Sequence, residues 1–180
     1  MDRLIAGYRN FRDGYYKEHE ALFRDLANRG QKPTKMIVGC SDARVDPAIT
    51  FGTDPGDVFM VRNVANLVPP FASDHQLHGT SAALEFAVKG LAVKNIVVLG
   101  HARCGGVASL MGAGQMKQSD FIEPWMEIAK TARDHAKALA EIHGHKPDGP
   151  EACRICEMEA VKVSLHNLMT FPWIAEAVRS

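Results

Sequence analysis

The chain has 180 residues, 46% of them apolar and 23% charged, with a formal net charge of zero. That size and balance fit one domain with a sizeable core, and the lack of any basic excess excludes the charge signature of a nucleic-acid binder. No apolar run approaches the roughly 20 residues that span a bilayer, and Met1 to Gly7 lacks a secretory h-region, so the expected compartment is the cytoplasm, where the four cysteines stay reduced.

In chain order, residues 3–29 read as one or two helices. Leu4, Ile5, Tyr8 and Phe11 recur at helical spacing, Gly14 interrupts, and Tyr15, His19, Leu22, Phe23 and Leu26 resume the stripe. Gly30 is a C-cap candidate. Residues 1–30 thus form an N-terminal helical arm, and 31–180 an α/β domain. Strands are expected at 35–40, 57–62 and 94–99, each apolar and rich in β-branched residues. A helix from Thr80 to Leu91 links the last two, and strand, helix, strand implies a right-handed crossover and a parallel sheet. Pro69 and Pro70 exclude regular pairing before it. A helix through Leu110 and Met111 follows Gly106. Longer helices are expected at 119–143, with Pro124 inside, and at 150–170.

Two turns carry the chemistry. Gly39-Cys40-Ser41-Asp42-Ala43-Arg44 follows the first strand, and His101-Ala102-Arg103-Cys104-Gly105-Gly106 follows the third. Both lie at the C-terminal ends of parallel strands, the edge where open α/β sheets bind ligands. Two cysteines, a histidine and an aspartate converging there form a set of soft and borderline donors that suits tetrahedral zinc. A single buried cysteine or histidine is ordinarily a packing residue; four such residues in two strand-end turns are harder to explain that way. Cys153-Arg154-Ile155-Cys156 invites a redox or zinc reading too, but it has no second pair and lies in a helical pattern, so packing is the better account.

The strings CSDARV, FMVRNVANLVPP, NIVVLGHARCGG and CEMEAVKVSLHNL, in this order and spacing, resemble the β-class carbonic anhydrases, especially their plant-type branch, from about Gln31 onward. The resemblance implies zinc ligands at Cys40, His101 and Cys104, with Asp42 as a switchable fourth ligand and Arg44 as its partner. It implies hydration of carbon dioxide to bicarbonate and a proton by zinc-bound hydroxide, and a homodimer, with higher oligomers conceivable, whose active sites lie at the subunit interface. The family's pocket residues match Gln31, Phe59, Val64 and Phe86, where Phe86 replaces a tyrosine, and the Gly105 N–H is a further contact to substrate oxygen. Relatives continue past the position of Val178 with one more strand, so a central, mostly parallel four-stranded sheet is expected here. Some relatives are inhibited by bicarbonate beside the metal; the tryptophan of that pocket is Ile37 here, so the switch is expected to be absent, although Arg62 occupies the position of its arginine.

The residues support this chemistry on their own terms. Zinc with neutral ligands lowers the pKa of bound water from 15.7 to about 7; two thiolates nearly cancel the metal's charge and shift the optimum to mildly alkaline pH. Asp42 on the metal would complete four protein ligands and close the site, and the Arg44 fork can draw it away. A proton shuttle stays unassigned, with His75 and His78 on a loop as the nearest thought. Rival readings are a carbon disulfide or carbonyl sulfide hydrolase using the same site, and a non-catalytic structural or regulatory zinc protein with Asp42 closing the metal.

Overall fold

A computed structural model of the chain describes residues 1–74, 76–112 and 119–179. The N-terminal arm is α1 (Asp2–Asp13), α2 (Tyr15–Glu18) and α3 (Glu20–Arg29), interrupted at Gly14 and ended at Gly30, whose φ of 74° is a conformation open to glycine. None of its residues is buried. Phe11, Tyr15, Tyr16 and Phe23 cluster, with Phe11 stacked on Tyr15 and edge-on to Phe23, and the arm touches the body where Tyr15 Oη meets Asp54 and where Leu26 lies against Gly56.

The sheet is β1 (Lys35–Cys40), β2 (Val58–Asn63) and β3 (Asn95–Leu99), all parallel, in the order β2-β1-β3. These are the three strands read from the sequence; the expected fourth has no counterpart among the described residues. β1 is central, and Val38 pairs with Val61 on one side and Val98 on the other. On one face Met36 and Val38 pack against Leu84, Ala87, Phe171 and Ile174. Met36, Val38 and Leu84 are fully buried, each contributing about 1.5–3 kcal/mol. The opposite face carries Ile37, Met60 and Val97 in register, and there Met60 and Val97 stay about 40% exposed.

The crossover begins as α5 (Gly79–Glu85) and widens into a π-helical turn at Phe86–Gly90, with Leu91 N–H donating to Phe86 O. α6 (Gly105–Leu110) leaves the site as expected. The single long helix expected at 119–143 is broken: α7 (Ile122–Met126) and a tight turn at Glu127–Ala129 precede α8 (Lys130–Ile142). Ser119 Oγ accepts from Ile122 N–H at 2.7 Å and Glu123 N–H at 3.1 Å, so the chain enters α7 at 122 and Pro124 falls in its first turn, where a missing N–H costs little. α9 (Pro150–Leu168) packs on α8 through small residues at four-residue spacing: Ala132, Ala136 and Ala140 against Ala152, Cys156 and Ala160, all essentially buried. Cys156 is a fully buried free thiol and Cys153 a partly buried one, as the packing account requires.

Two further helices complete the chain. α4 (Pro47–Phe51) starts at Asp46, whose carboxylate accepts Ala48 N–H; α10 (Pro172–Arg179) covers the sheet with Ile174 and Ala175. Neither is among the elements expected from the sequence, although the Asp46-Pro47 start of α4 is a legible helix signal.

Candidate metal centre

β1 and β3 end side by side, and each delivers one arm of the site. Cys40 is the last residue of β1; β3 continues through Gly100 into His101, and Cys104 is the residue before α6. Gly100 is required where it stands, since a Cβ there would lie 2.8 Å from Val161 Cγ2, and Gly106 is equally confined, with Val64 Cγ1 at 2.8 Å. Arg103, between the two ligand candidates, holds φ at 56°, in the left-handed region that a non-glycine residue rarely adopts.

The ligand atoms of Cys40, His101 and Cys104 all lie within 4.8 Å of one another. Cys40 and Cys104 are buried. His101 Nδ1 lies 3.0 Å from Ala102 O and 3.4 Å from Arg44 Nη2; with its proton given to the nearer carbonyl, Nε2 is left buried with a lone pair and no hydrogen-bond partner. A free imidazole lone pair beside two thiols is what a metal uses and what packing alone leaves costly. Tetrahedral zinc with bonds of about 2.0–2.3 Å sets its ligand atoms roughly 3.5–3.8 Å apart, a spacing this cluster accommodates.

The two thiols influence each other's ionisation. The contact with Cys104 draws Cys40 well below the ordinary thiol value, against the pull of burial. The same contact, reinforced by burial, pushes Cys104 far above it. Two buried sulfurs in contact repel when both are negative, so the first ionisation of the pair is eased and the second opposed.

Asp42 is held by Arg44 through three contacts of 2.9 Å: Nε to Oδ1, Nη2 to Oδ2, and the backbone N–H to Oδ1. Arg44 Nη2 also donates to Arg103 O at 3.0 Å, which gives the strained Arg103 backbone a purpose. The guanidinium bonds hold the Asp42 carboxyl well below the usual carboxylate range. A depressed native value means the pair's contribution to the fold is present in full above the unfolded carboxyl value of about 3.9 and is lost progressively as pH falls from there through the lower native one, so Asp42 is ionised at neutral pH.

Arg62 was not recognised from sequence as a structural residue. Its Nε donates to Cys40 O at 3.0 Å, its Nη2 to Asp42 O at 2.7 Å, and its Nη1 pairs with Asp46 at 2.6 Å. All three guanidinium nitrogens thus tie down the Cys40 turn. The signal that could have found it is strand register, which sets Arg62 beside Gly39.

The proposed pocket residues divide in two. Val64 packs beside Cys40 and Cys104, its carbonyl fixed by Trp125 Nε1 at 2.8 Å, and Gly105 opens α6 next to Cys104. Phe59 pairs with Met36, four residues before the Asn63–Cys40 pair, about 13 Å back along the strand. Phe86 lies against Phe59, ring centroids 5.7 Å apart, and Gln31 precedes Lys35 at that same far end. One chain brings Val64 and Gly105 to the cluster and leaves Gln31, Phe59 and Phe86 away from it. His78 is paired with Asp74 at 2.7 Å; His75 lies outside the described residues.

A parallel α/β sheet with a Cys-His-Cys cluster at its C-terminal edge defines a metal-binding α/β protein. The carbonic anhydrase family matches residues 35–180. The chain belongs to this family, in its β class. It is 40% identical over 182 residues to beta carbonic anhydrase 5, chloroplastic, of Arabidopsis thaliana, covering 99% of this chain and 58% of that protein. The chain therefore spans somewhat more than half the length of this relative. Its fold superposes on the β-carbonic anhydrase CcaA with a TM-score of 0.86 at 32% identity, covering 99% of this chain and 77% of that one. A tetrameric β-carbonic anhydrase of Sordaria macrospora gives 0.80 at 30% identity, over 99% and 85% of the two chains.

Proposed function

We propose that the chain is a zinc enzyme that reversibly hydrates carbon dioxide to bicarbonate and a proton. The observation that carries this reading is the buried, unpartnered His101 Nε2 gathered with Cys40 and Cys104 within 4.8 Å. Zinc bound there supplies Lewis acidity and a water that ionises near or slightly above neutral pH. Cys40, His101 and Cys104 would hold the ion. Arg44 keeps the Asp42 carboxylate in its fork, and Asp42 would serve as an ionised acceptor able to orient a water at the site. Val64 presents an apolar wall suited to an uncharged gas, and the Gly105 N–H is offered to a substrate oxygen. The engaged Asp42–Arg44 pair favours this reading over a closed structural zinc site. Stopped-flow carbon dioxide hydration, with zinc determined on the same sample, tests it; zinc-loaded protein that does not accelerate hydration would overturn it. The same assay run with carbon disulfide and carbonyl sulfide separates the hydrolase alternative.

The working unit is a homodimer in this reading. Gln31, Phe59 and Phe86 are too far from their own cluster to line it, which supports the reading that they complete that of a second copy. No residue of the arm is fully buried in its own chain, and helices this short draw their stability from packing. Deleting residues 1–28 is expected to raise the dimer dissociation constant by at least about tenfold and to lower turnover in parallel, measured by sedimentation and hydration assays. A fully active monomer would sink the shared-site assignment. The four free thiols fit a reducing compartment, and we assign the cytoplasm on that ground.

A further inference from the structure

The CEMEAVKVSLHNL stretch has no part in the chemistry described so far, yet one face of α9 runs along the back of the site. Glu157 Oε1 accepts the Cys104 N–H at 3.0 Å. One turn later Val161 is the side chain that a Cβ at Gly100 would strike. Further on, Ser164 accepts Val68 N–H at 3.2 Å and donates to Asn66 O at 3.3 Å, and Asn167 Nδ2 donates to Val68 O at 2.9 Å. Residues 157, 161 and 164 share a helix face, so α9 fixes both ends of the Gly100–Cys104 loop and the 64–68 segment beside it.

The Cys104 N–H has a particular need of this partner. Cys104 is the residue before α6, with ψ of 123°, so its N–H lies outside the helical ladder. Many helices meet that donor with a glutamate three positions on; here that position is Val107, which cannot serve. Cys104 is 3% exposed, so water is no ready substitute, and a buried N–H left unpaired would swing toward another acceptor and carry its sulfur with it. Glu157 supplies the missing acceptor from 53 residues away.

We propose that Glu157 is a positioning residue for the metal centre: by accepting the Cys104 N–H it sets the Cys104 sulfur where Cys40 and His101 can share an ion with it. This rests on the zinc reading above. Residues that orient a ligand from behind change metal affinity by about 10- to 100-fold when lost. Glu157→Ala and the similarly shaped Glu157→Met, neither with an acceptor, should weaken zinc binding by about that factor in competition with a chromophoric chelator. Glu157→Gln, whose amide oxygen can take the same N–H, should stay within about threefold of wild type. With cobalt(II) in place of zinc, the sulfur-to-metal charge-transfer band should weaken per bound ion in the Ala and Met variants and be kept in the Gln variant. Wild-type affinity and an unchanged band in Ala and Met would overturn the proposal, as would Gln falling as far as Ala. A variant unfolded without metal that regains native circular dichroism at raised zinc supports it; one unfolded even at saturating zinc refutes it, since Glu157 would then hold the fold and not the ligand. Failure of the wild type to bind either metal would instead remove the zinc reading itself.

Discussion

Cys104→Ala is expected to leave the protein without stoichiometric zinc and without measurable carbon dioxide hydration, and Cys40→Ala and His101→Ala should do the same. The three side chains converge within 4.8 Å, and no other group of three candidate ligands is found among the described residues. Zinc held by a full protein site gains about 10–16 kcal/mol; removing one of three ligands forfeits several of these, more than about a thousandfold in affinity. The loss should be in metal and activity more than in fold, because an alanine at 40 or 104 still occupies a packed position beside Val64, Ala65 and Val107. Metal analysis after gel filtration, paired with circular dichroism, reads both. Wild-type protein that is fully active yet repeatedly free of metal would refute the site, as would a Cys104→Ala variant that keeps one zinc per chain and its turnover.

Arg44→Ala should produce the opposite separation: zinc retained, hydration lost by about a hundredfold. Asp42 now accepts two bonds from the Arg44 side chain and one from its backbone N–H, all at 2.9 Å. Truncation removes the two charge-assisted bonds, each worth about 1.5–3 kcal/mol, and leaves the backbone bond. The Asp42 carboxylate remains ionised and its nearest remaining strong attraction is the metal, so the balance moves by two or more powers of ten toward a fourth protein ligand. X-ray absorption on the zinc-loaded variant should show an added carboxylate oxygen at about 2.0–2.2 Å. Arg44→Lys, with charge but no planar fork, should fall between the two. Retained activity in Arg44→Ala with zinc bound would show that Asp42 is not gated by this arginine.

The same distinction between local and distant partners separates what the sequence by itself determined from what only the tertiary structure decided. β1, β2 and β3 were legible to within a residue or so, because each is a continuous apolar run rich in β-branched residues with turn residues at its ends. Cys40, His101 and Cys104 were legible for a related reason: strand ends in a parallel sheet meet at one edge, so two ligand-bearing turns after two such strands must lie near each other. The Asp42–Arg44 pair is two residues apart and needs no tertiary contact to be proposed. The break at Glu127–Ala129 was not legible, since helical periodicity runs through a tight turn unchanged. Arg62 was legible only as standing where some relatives have an anion-binding arginine, with that switch expected to be absent, and only the register that sets β2 beside β1 turned it toward Cys40 O, Asp42 O and Asp46. Glu157 left no signal at all, because its partner is a backbone N–H, which every residue but proline carries, on a segment brought to it by the packing of α9. Side-chain patterns reveal groups that act through their own chemistry; those that act on another segment's backbone become visible only when the chain has folded.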